Sequence, residues 1–481
     1  MSEIKVNKIS PRAACGTVQL GDSGDTFTIP AGASITNSGT ASGFGATGSA
    51  SWNTTVKTSG FTAVAGEGYF VNTTGGAISV NLPAGTAGAV VAFKDYANTF
   101  DTNELTLVQN GSDKVGGSTD NVVLGEEGVA ITLVFVDSTQ GWLVTDSGLQ
   151  SEATVPEFVS ASGGNAILTC GNFKTHVFTG PGTFTVSSAG NTAGSNRVDY
   201  VVVAGGGGGG GGRNCASQGH GGGAGAGGMR LSNSYCLPAP TTSPLANPSG
   251  ITVTATAFPI AVGGGGSGGV PSAAANQGSI GTSSTFSIIT STGGGGGKSA
   301  GNLSSTPIPQ NGNPGGSGGG AGNPNGTAGA GNTPPVSPPQ GQDGGAGAPN
   351  GRSAGGGGAG AAGSGYSPCA PNPGDGGTGS FIADSFFGPT APSYGTPGPV
   401  SSTRYFAGGG AGSAFPPQGY PAGAGGAGGG APGAQGGGPN SQPGNTGTVN
   451  TGGGSSPAQG GYSAGGVAGG SGIVMIRYRF Q

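Results

Sequence analysis

The chain has 481 residues, of which 115 are glycine and only 7% are charged, and its formal net charge is −4. Such a low charge content excludes an ordinary enzyme-like composition, and the lack of a lysine or arginine cluster excludes the electrostatic footprint of a nucleic-acid-binding protein. Residues 1–200 hold 29 of the glycines and residues 201–481 hold 86, so the chain consists of two compositionally different parts.

The N-terminal region, residues 1–49, contains short β-branched pieces separated by glycine and asparagine turns. Such pieces are too short to bury a core alone, so we expect strands that pair between chains in an intertwined β shaft. Its first residues lack an apolar run, and no segment of the chain approaches the ~20 apolar residues that span a bilayer. We therefore expect neither a signal peptide nor membrane insertion.

Residues 50–150 carry a denser set of strand signals. Seven β-rich stretches with glycine, asparagine and aspartate turns predict a β-sandwich, and they are 69–72, 78–82, 90–94, 105–108, 121–124, 130–136 and 142–144. No window of the chain shows apolar residues at helical spacing over three turns. The predicted fold class is therefore all-β, with essentially no helix.

A second β domain is predicted from residues 151–204 together with 473–481. Residues 175–186 indicate a hairpin around Gly180, and residues 198–204 form an apolar strand. In the terminal strand, Val474 lies on one face with every second residue after it, whereas Arg477 and Arg479 lie on the other. We expect this strand to return to the sheet that holds residues 198–204, which makes residues 205–472 one insertion.

The glycine-rich insertion has three physical interpretations. Disorder is the simplest, because little apolar surface offsets the ~1–2 kcal/mol of backbone entropy per residue, but apolar islands such as residues 250–262 and 380–387 favour order. A collagen triple helix requires glycine at every third position, and residues 205–212 break that register. We therefore predict a bundle of polyglycine-II-like rods whose backbone groups pair with neighbouring rods.

The five cysteines, Cys15, Cys170, Cys215, Cys236 and Cys369, are odd in number, and none forms a Cys-x-x-Cys pair. Free thiols from a reducing cytoplasm fit this pattern best, and a Cys215–Cys236 disulfide in an oxidising environment is the alternative.

Several landmarks in a fixed order resemble glycine-rich tail-fibre and adhesin proteins of bacteriophages, especially of marine phages that infect cyanobacteria. They are Thr175-His-Val-Phe-Thr-Gly-Pro-Gly-Thr-Phe-Thr-Val, Val198-Asp-Tyr-Val-Val-Val-Ala-Gly-Gly, Phe258-Pro-Ile-Ala-Val-Gly-Gly-Gly-Gly-Ser, Gly293-Gly-Gly-Gly-Gly and Gly469-Gly-Ser-Gly-Ile-Val-Met-Ile-Arg-Tyr. The resemblance covers roughly residues 170–481, and the opening residues 2–9 are similar to N-termini of the same fibres. The proline-rich stretch 306–349 departs from the family by its length.

The resemblance implies a protein of the virion tail fibre, made in the host cytoplasm, with residues 1–49 attached to other tail or baseplate proteins. It also implies a homotrimer whose glycine-rich tip touches a host surface glycan or outer-membrane component. A purely structural fibre or capsid decoration without a receptor role is one alternative, and a polysaccharide depolymerase is another.

Catalytic and cofactor chemistry find little support in the sequence. The string from Thr292 to Ser299 has threonine where a phosphate-binding loop has its first glycine, and His176 and His220 lack partners at metal-ligand spacing. A depolymerase requires two nearby carboxylates, whereas beyond residue 200 the only acidic residues are Asp343, Asp375 and Asp384. We expect a protein that is not an enzyme, with no cofactor, metal or nucleic-acid partner.

Aromatic residues crowd into the range 366–420 and are the candidates for receptor contacts, because aromatic faces stack on sugar rings while polar groups fix orientation. The alternative is that some of these rings form small hydrophobic plugs where rods end. The candidate set is Phe381, Asp384, Phe386, Phe387, Tyr394, Arg404, Tyr405, Phe406, Phe415 and Tyr420.

Overall fold

A computed structural model describes the chain over residues 50–153, 155–211, 221–270, 277–298, 311–322, 326–347, 353–365, 372–388, 394–413, 421–435, 442–459 and 465–481, together with Val18, Gln19 and Thr26. The chain divides into two compact units, Met1–Thr154 and Val155–Gln481. The shaft predicted for residues 1–49 lies outside the described residues apart from those three positions. Over the described ranges the secondary structure is strands and two short 3-10 turns, which confirms the all-β class.

The first unit contains nine strands in two sheets, ordered β1-β3-β5-β8-β9 and β2-β4-β6-β7. Strands β1 to β6 alternate between the sheets, so neighbours along that part of each sheet are parallel. The strands are β1 (Ser51–Lys57), β2 (Phe61–Thr62), β3 (Glu67–Val71), β4 (Ile78–Asn81), β5 (Val90–Asp95), β6 (Leu105–Val108), β7 (Val122–Leu124), β8 (Val129–Asp137) and β9 (Gly141–Leu149).

Both sheets contribute to one buried core, which confirms the predicted sandwich. Tyr69 and Phe93 come from the first sheet, Val80 and Leu107 come from the second, and Trp142 closes the core from β9. The period-two alternation of apolar residues selects the inner face of β4, β6 and β8, whereas β5 is buried over most of its length. It does not encode the parallel winding, because alternation is the same for either strand direction.

The second unit begins with a base of two sheets, ordered β10-β13-β18-β19-β20 and β11-β12-β23-β14-β15-β16. The strands of this unit are β10 (Val159–Ser162), β11 (Ala166–Cys170), β12 (Phe173–Phe178), β13 (Gly182–Ala189), β14 (Arg197–Val203), β15 (Met229–Ser232), β16 (Ala246–Asn247), β17 (Ile251–Thr252), β18 (Ala257–Ala261), β19 (Ser284–Phe286), β20 (Ile289–Ser291), β21 (Ser380–Ala383), β22 (Thr403–Phe406) and β23 (Ile473–Arg479).

The terminal strand β23 lies between β12 and β14 and is antiparallel to both, so its predicted return to residues 198–204 is confirmed. The hairpin predicted around Gly180 is wrong, because β12 and β13 belong to different sheets. Phe178 and Phe184 both enter the core between the sheets, so the connection passes from one sheet to the other. The insertion also supplies β15 to β20 to the base, which therefore extends beyond the predicted residues 151–204 and 473–481.

His176 lies in the core of the base with no exposed surface. Its Nδ1 lies 2.7 Å from the Gly163 carbonyl oxygen, which can only accept, so Nδ1 carries a proton. Nε2, 3.0 Å from the Tyr478 hydroxyl, is then the acceptor in the neutral ring. Burial lowers the pKa of His176 because the surroundings disfavour the charged imidazolium.

Between the base strands, the chain runs back and forth in extended glycine-rich segments, here called rods, which together form the glycine block. In the rod 205–211, the N–H groups of Gly205 and Gly208 donate to one neighbouring rod, those of Gly206 and Gly209 to a second and that of Gly207 to a third. Three further rods donate N–H groups to carbonyls of this rod. A period of three with six neighbours is the arrangement of polyglycine II, which confirms the predicted rod bundle.

The same period is visible in burial at the surface of the glycine block. Along the rod 263–270, Gly264, Ser267 and Val270 are exposed, whereas the residues between them are buried or half-buried. A Cβ atom added at Gly266 would lie 2.1 Å from the carbonyl oxygen of Ser279, whereas one at Gly264 would have 3.9 Å to its nearest neighbour. Glycine is therefore required where a rod faces another rod and optional where it faces solvent.

The glycine block has two distinct ends. At the base end, rods join the sheets or reverse in tight turns, as at Gly316, whose added Cβ would meet Gly228 next to β15. The far end is where rods stop before the ranges 212–220, 271–276, 299–310, 323–325, 348–352, 366–371, 414–420, 436–441 and 460–464, which lie outside the described residues. Hydrogen bonds such as Ala458 to Gly210 align the rods there.

We expect Gly266→Ala to destabilise the second unit by about 1–3 kcal/mol, because the added methyl overlaps backbone atoms that cannot rotate away. Gly264→Ala in the same rod is the matched control and should leave stability within about 0.5 kcal/mol. Thermal and denaturant unfolding of both full-length variants measures the difference. Equal stability of the two variants would contradict close packing of the rods.

The buried His176 predicts a pH dependence of stability. Because its pKa in the folded state lies below the unfolded value of about 6.5, the contribution is complete above that pH and is lost as pH falls through the lowered folded-state pKa. Unfolding free energies measured from pH 8 to pH 5 should decline more steeply for the native chain than for His176→Gln. Parallel profiles would show that His176 carries no pH-dependent stability.

Candidate functional site

The predicted aromatic candidates of the range 380–406 lie at the base end of the glycine block. Strands β21 and β22 form an antiparallel pair in which Phe381 is opposite Tyr405 and Ile382 is opposite Arg404. The rings of Phe381 and Tyr405 are tilted against each other, with centroids 5.1 Å apart. This pair of strands joins rods that run towards the far end on either side.

Phe386, Phe387 and Phe406 are at most 1% exposed and belong to one core cluster with Val177 and Met475 of the base sheet. Tyr405 is 3% exposed. The expectation that these four rings face a receptor is therefore corrected. The rods contribute only small side chains such as Ala226 and Ala359 to this cluster, so the aromatic rings fill the space between the block and the base sheet, as the plug alternative states.

Arg404 is half-buried and holds a loop in place. Its Nε donates to the carbonyl oxygen of Tyr394 at 2.8 Å, and its Nη2 donates to that of Gly395 at 2.7 Å. The guanidinium thus fixes the segment that returns to β22. Asp384 is exposed, and its backbone carbonyl accepts the N–H of Phe387 at 3.0 Å. Of the described candidates, only Phe381, Asp384, Tyr394 and Arg404 have appreciable exposed surface.

Phe415 and Tyr420 lie outside the described residues. The rods that flank them, ending at Ser413 and beginning at Pro421, stop at the far end of the block. The described members of the candidate set, all from 380–406, belong to the base end. Sequence proximity suggested a single surface, whereas one rod between Phe406 and Ser413 separates the two ends.

Arg477 is a buried cation on β23. The sequence pattern predicted that it lies on the face opposite Val474, but it did not predict that this face is buried. Arg477 is 4% exposed, and its guanidinium carbon lies 3.8 Å from the ring centroid of Phe173. Among the residues that the structure describes, its Nε and Nη1 have no hydrogen-bond partner. The neighbouring Asp199 instead accepts from Ser232 and Ser234. Burial lowers the pKa of Arg477, and the Asp199 charge opposes that shift.

The far end of the block is the candidate site because nine breaks between rods converge on it. Among the described residues there, Ser353 and Ser413 exchange hydrogen bonds: the Ser413 N–H donates to Ser353 Oγ at 2.9 Å, and that hydroxyl donates to the Ser413 carbonyl at 3.2 Å. The Ser413 hydroxyl donates to the Pro457 carbonyl at 2.8 Å. Lys298 also lies at this end and is 9% exposed.

Three further observations concern the described part of the chain. It contains no group of three or more His, Cys, Asp or Glu residues arranged to hold a metal ion. None of its helices has the length and apolar character needed to cross a membrane. Cys170 and Cys236 are free thiols, whereas Cys215, the other half of the alternative disulfide, lies outside the described residues.

Comparison with known proteins gives two matches. A family model described as a glycine-rich domain matches residues 178–479. A model described as the N-terminal part of bacteriophage T4 gp9/10-like proteins matches residues 20–151. Among curated proteins no match is found. The two matches confirm the resemblance to glycine-rich phage fibre proteins, and they support a structural fibre role and a place in the virion.

Burial of the aromatic candidates predicts that their main role is stability. We expect Phe406→Ala to cost about 3–5 kcal/mol in the unfolding of the second unit, because it removes a fully buried ring and leaves a cavity. Asp384→Asn changes an exposed side chain of the same region and should stay within about 0.5 kcal/mol. Denaturant unfolding distinguishes the two, and a Phe406→Ala variant as stable as the native chain would contradict the assigned core.

Proposed function

The chain belongs to the glycine-rich domain family, and from that premise we propose that it is a bacteriophage tail-fibre protein that recognises a host surface through the far end of its glycine block. The observation that supports this proposal is the path of the chain through the block. Nine connections between rods, of varied length and sequence, start and finish at one end of a block whose lattice tolerates almost no side chains. Within the block, we therefore expect larger side chains to be tolerated at that end and on the solvent-facing positions of the outer rods, such as Gly264.

The contrast between rigid rods and the connections that join them supports recognition at the far end. Rods fix one another through backbone hydrogen bonds on several sides, so they provide a rigid platform without depending on the sequence of the connections. Surface connections on a rigid scaffold are the usual location of binding residues. The base end is an unsuitable recognition surface, because its aromatic residues are used in the core shared with the β sheets.

The proposal assigns the first unit to attachment. The match of residues 20–151 to the N-terminal part of phage T4 gp9/10-like proteins supports association of this half with other tail components. We propose a homotrimer, with residues 1–49 at the virion side and the far end of the block towards the host. The ligand class is a surface glycan or outer-membrane component, and the protein acts by binding rather than by catalysis.

Replacing residues 300–309 and 415–419 with glycine-serine segments of equal length should abolish or redirect adsorption of the virion to its host. The lattice should be unaffected, because the flanking rods keep their hydrogen bonds. Adsorption rate constants and thermal unfolding of the purified chain measure the two effects. Ile288→Ser, an 84% exposed residue between β19 and β20, is the control and should leave both unchanged.

Unchanged adsorption and host range after both replacements would contradict the receptor role and favour a purely structural fibre. Release of polysaccharide fragments from host envelope by the purified chain would instead favour a depolymerase. Trimer formation is tested separately by the mass of the full chain in solution, and a monomer would contradict the proposed assembly.

A further inference from the structure

The outer face of the sheet β1-β3-β5-β8-β9 is largely apolar. The second sheet of the first unit covers its inner face, which carries Tyr69 and Phe93. Residues paired directly across neighbouring strands share a face. Three rows of paired residues therefore cross the outer face, and they are Trp52, Gly68, Ala92, Thr132 and Asp146, then Phe70, Lys94, Ala130 and Gly148, then Val90, Val134 and Leu143.

Trp52 lies flat on this outer face. A Cβ atom added at Gly68 would be 2.8 Å from the indole ring, so one face of the indole covers that glycine. The indole centroid lies 5.0 Å from the ring centroid of Phe70. Trp52 is nevertheless 43% exposed, whereas Val90 and Ala92 beside it are at most 4% exposed. A large aromatic ring with one free face extends an apolar surface that polar side chains do not interrupt.

Strand direction and charge both indicate that a further layer covers this face. Strands β1, β3 and β5 run parallel, and parallel strands are usually covered on both faces. The charged members of the three rows are Lys94, whose ammonium donates to the Gly128 carbonyl of the same chain, and Asp146 on the edge strand β9. The covering surface is therefore apolar and poor in charge, since burying an unpaired charge there would cost free energy.

The path of the chain favours a second copy as that covering layer. Residues 1–49, for which we predict pairing between chains, lead directly into β1 at the edge of this sheet. Trp52 comes three residues after residue 49, a reach of about 10 Å in a fully extended chain. Copies paired up to residue 49 therefore hold their β1 strands close together. Around a threefold axis, each copy can turn the same apolar face towards the others.

We propose that the outer face of this sheet is the contact between copies of the chain in the first unit, with Trp52 as its main contact residue. The inference rests on the proposed homotrimer and specifies its interface. Five strands with about five residues along each give a face of about 400 Å² per copy, roughly half of the ~800 Å² that each partner contributes to a stable complex. The face therefore acts together with residues 1–49 rather than alone.

Tryptophan fluorescence tests the interface directly, because the chain has two tryptophans and the other, Trp142, has no exposed surface. Iodide quenching of the full-length chain therefore reports on Trp52. We expect Trp52 to be protected at concentrations where the mass in solution is that of a trimer, and to become quenchable when dilution gives monomers. Trp52→Phe supplies the baseline of Trp142 alone.

Trp52→Ser should raise the concentration needed for assembly roughly 10- to 100-fold, the range for losing a buried aromatic contact at an interface. Val123→Ser is the matched control, because Val123 is 48% exposed on the outer face of β7 in the second sheet, and it should leave assembly unchanged. Thermal unfolding shows whether both variants are folded. Iodide quenching of the native chain decides the question if Trp52→Ser does not fold.

A trimer whose Trp52 is quenched as readily as in the monomer would leave this face free for another ligand, so the proposed interface would be wrong while the homotrimer stands. Protection of Trp52 in the monomer would also overturn the proposal, because the chain itself would then cover the ring. So would unchanged assembly of a folded Trp52→Ser variant. A chain that is monomeric at every concentration would contradict both the homotrimer and its interface.

Discussion

Unpaired backbone groups are the constraint on which this structure depends. A threefold extended rod makes no internal hydrogen bonds, so every buried N–H and C=O must find a partner on another rod. The rod 205–211 satisfies this requirement with six neighbours, which is feasible only where backbones approach closely. Glycine is needed for that approach, since Cβ atoms added at Gly206 or Gly208 would lie within about 2.1 Å of carbonyl oxygens.

The β sheets and the aromatic rings beside them provide the hydrophobic core that the glycine block lacks at its base end. Rods supply almost no apolar side chains, so the block would have no hydrophobic boundary of its own. The rings of Phe386, Phe387 and Phe406 fill the space beside the sheet formed by β12, β23 and β14. Because β23 follows the last rod and lies between β12 and β14, both ends of the insertion are tied to one sheet. The far end is the part of the block to which we assign the proposed recognition role.

Much of this fold was predictable from the sequence. β-rich stretches bounded by turn residues located β5 and β8, apolar alternation indicated the faces of β23, and glycine runs without collagen register indicated the rods. The parallel winding of the first unit was not predictable, because alternating residues do not encode strand direction. The aromatic candidates were wrongly expected to face a receptor together, since Phe386, Phe387, Tyr405 and Phe406 are buried at the base end, and sequence proximity does not reveal that burial. The sequence assigned Arg477 to one face of β23, whereas its burial depends on packing between distant segments.

The central claim is that the glycine-rich half is an ordered, hydrogen-bonded lattice rather than a disordered tail. Amide hydrogen exchange tests it directly, because N–H groups within a lattice exchange only when the rods open. The account predicts strong protection for Gly206–Gly209 and Gly222–Gly228, comparable to that of β14 and β23. Exchange of these glycines at the rate of an unstructured peptide, while β14 and β23 remain protected, would contradict it.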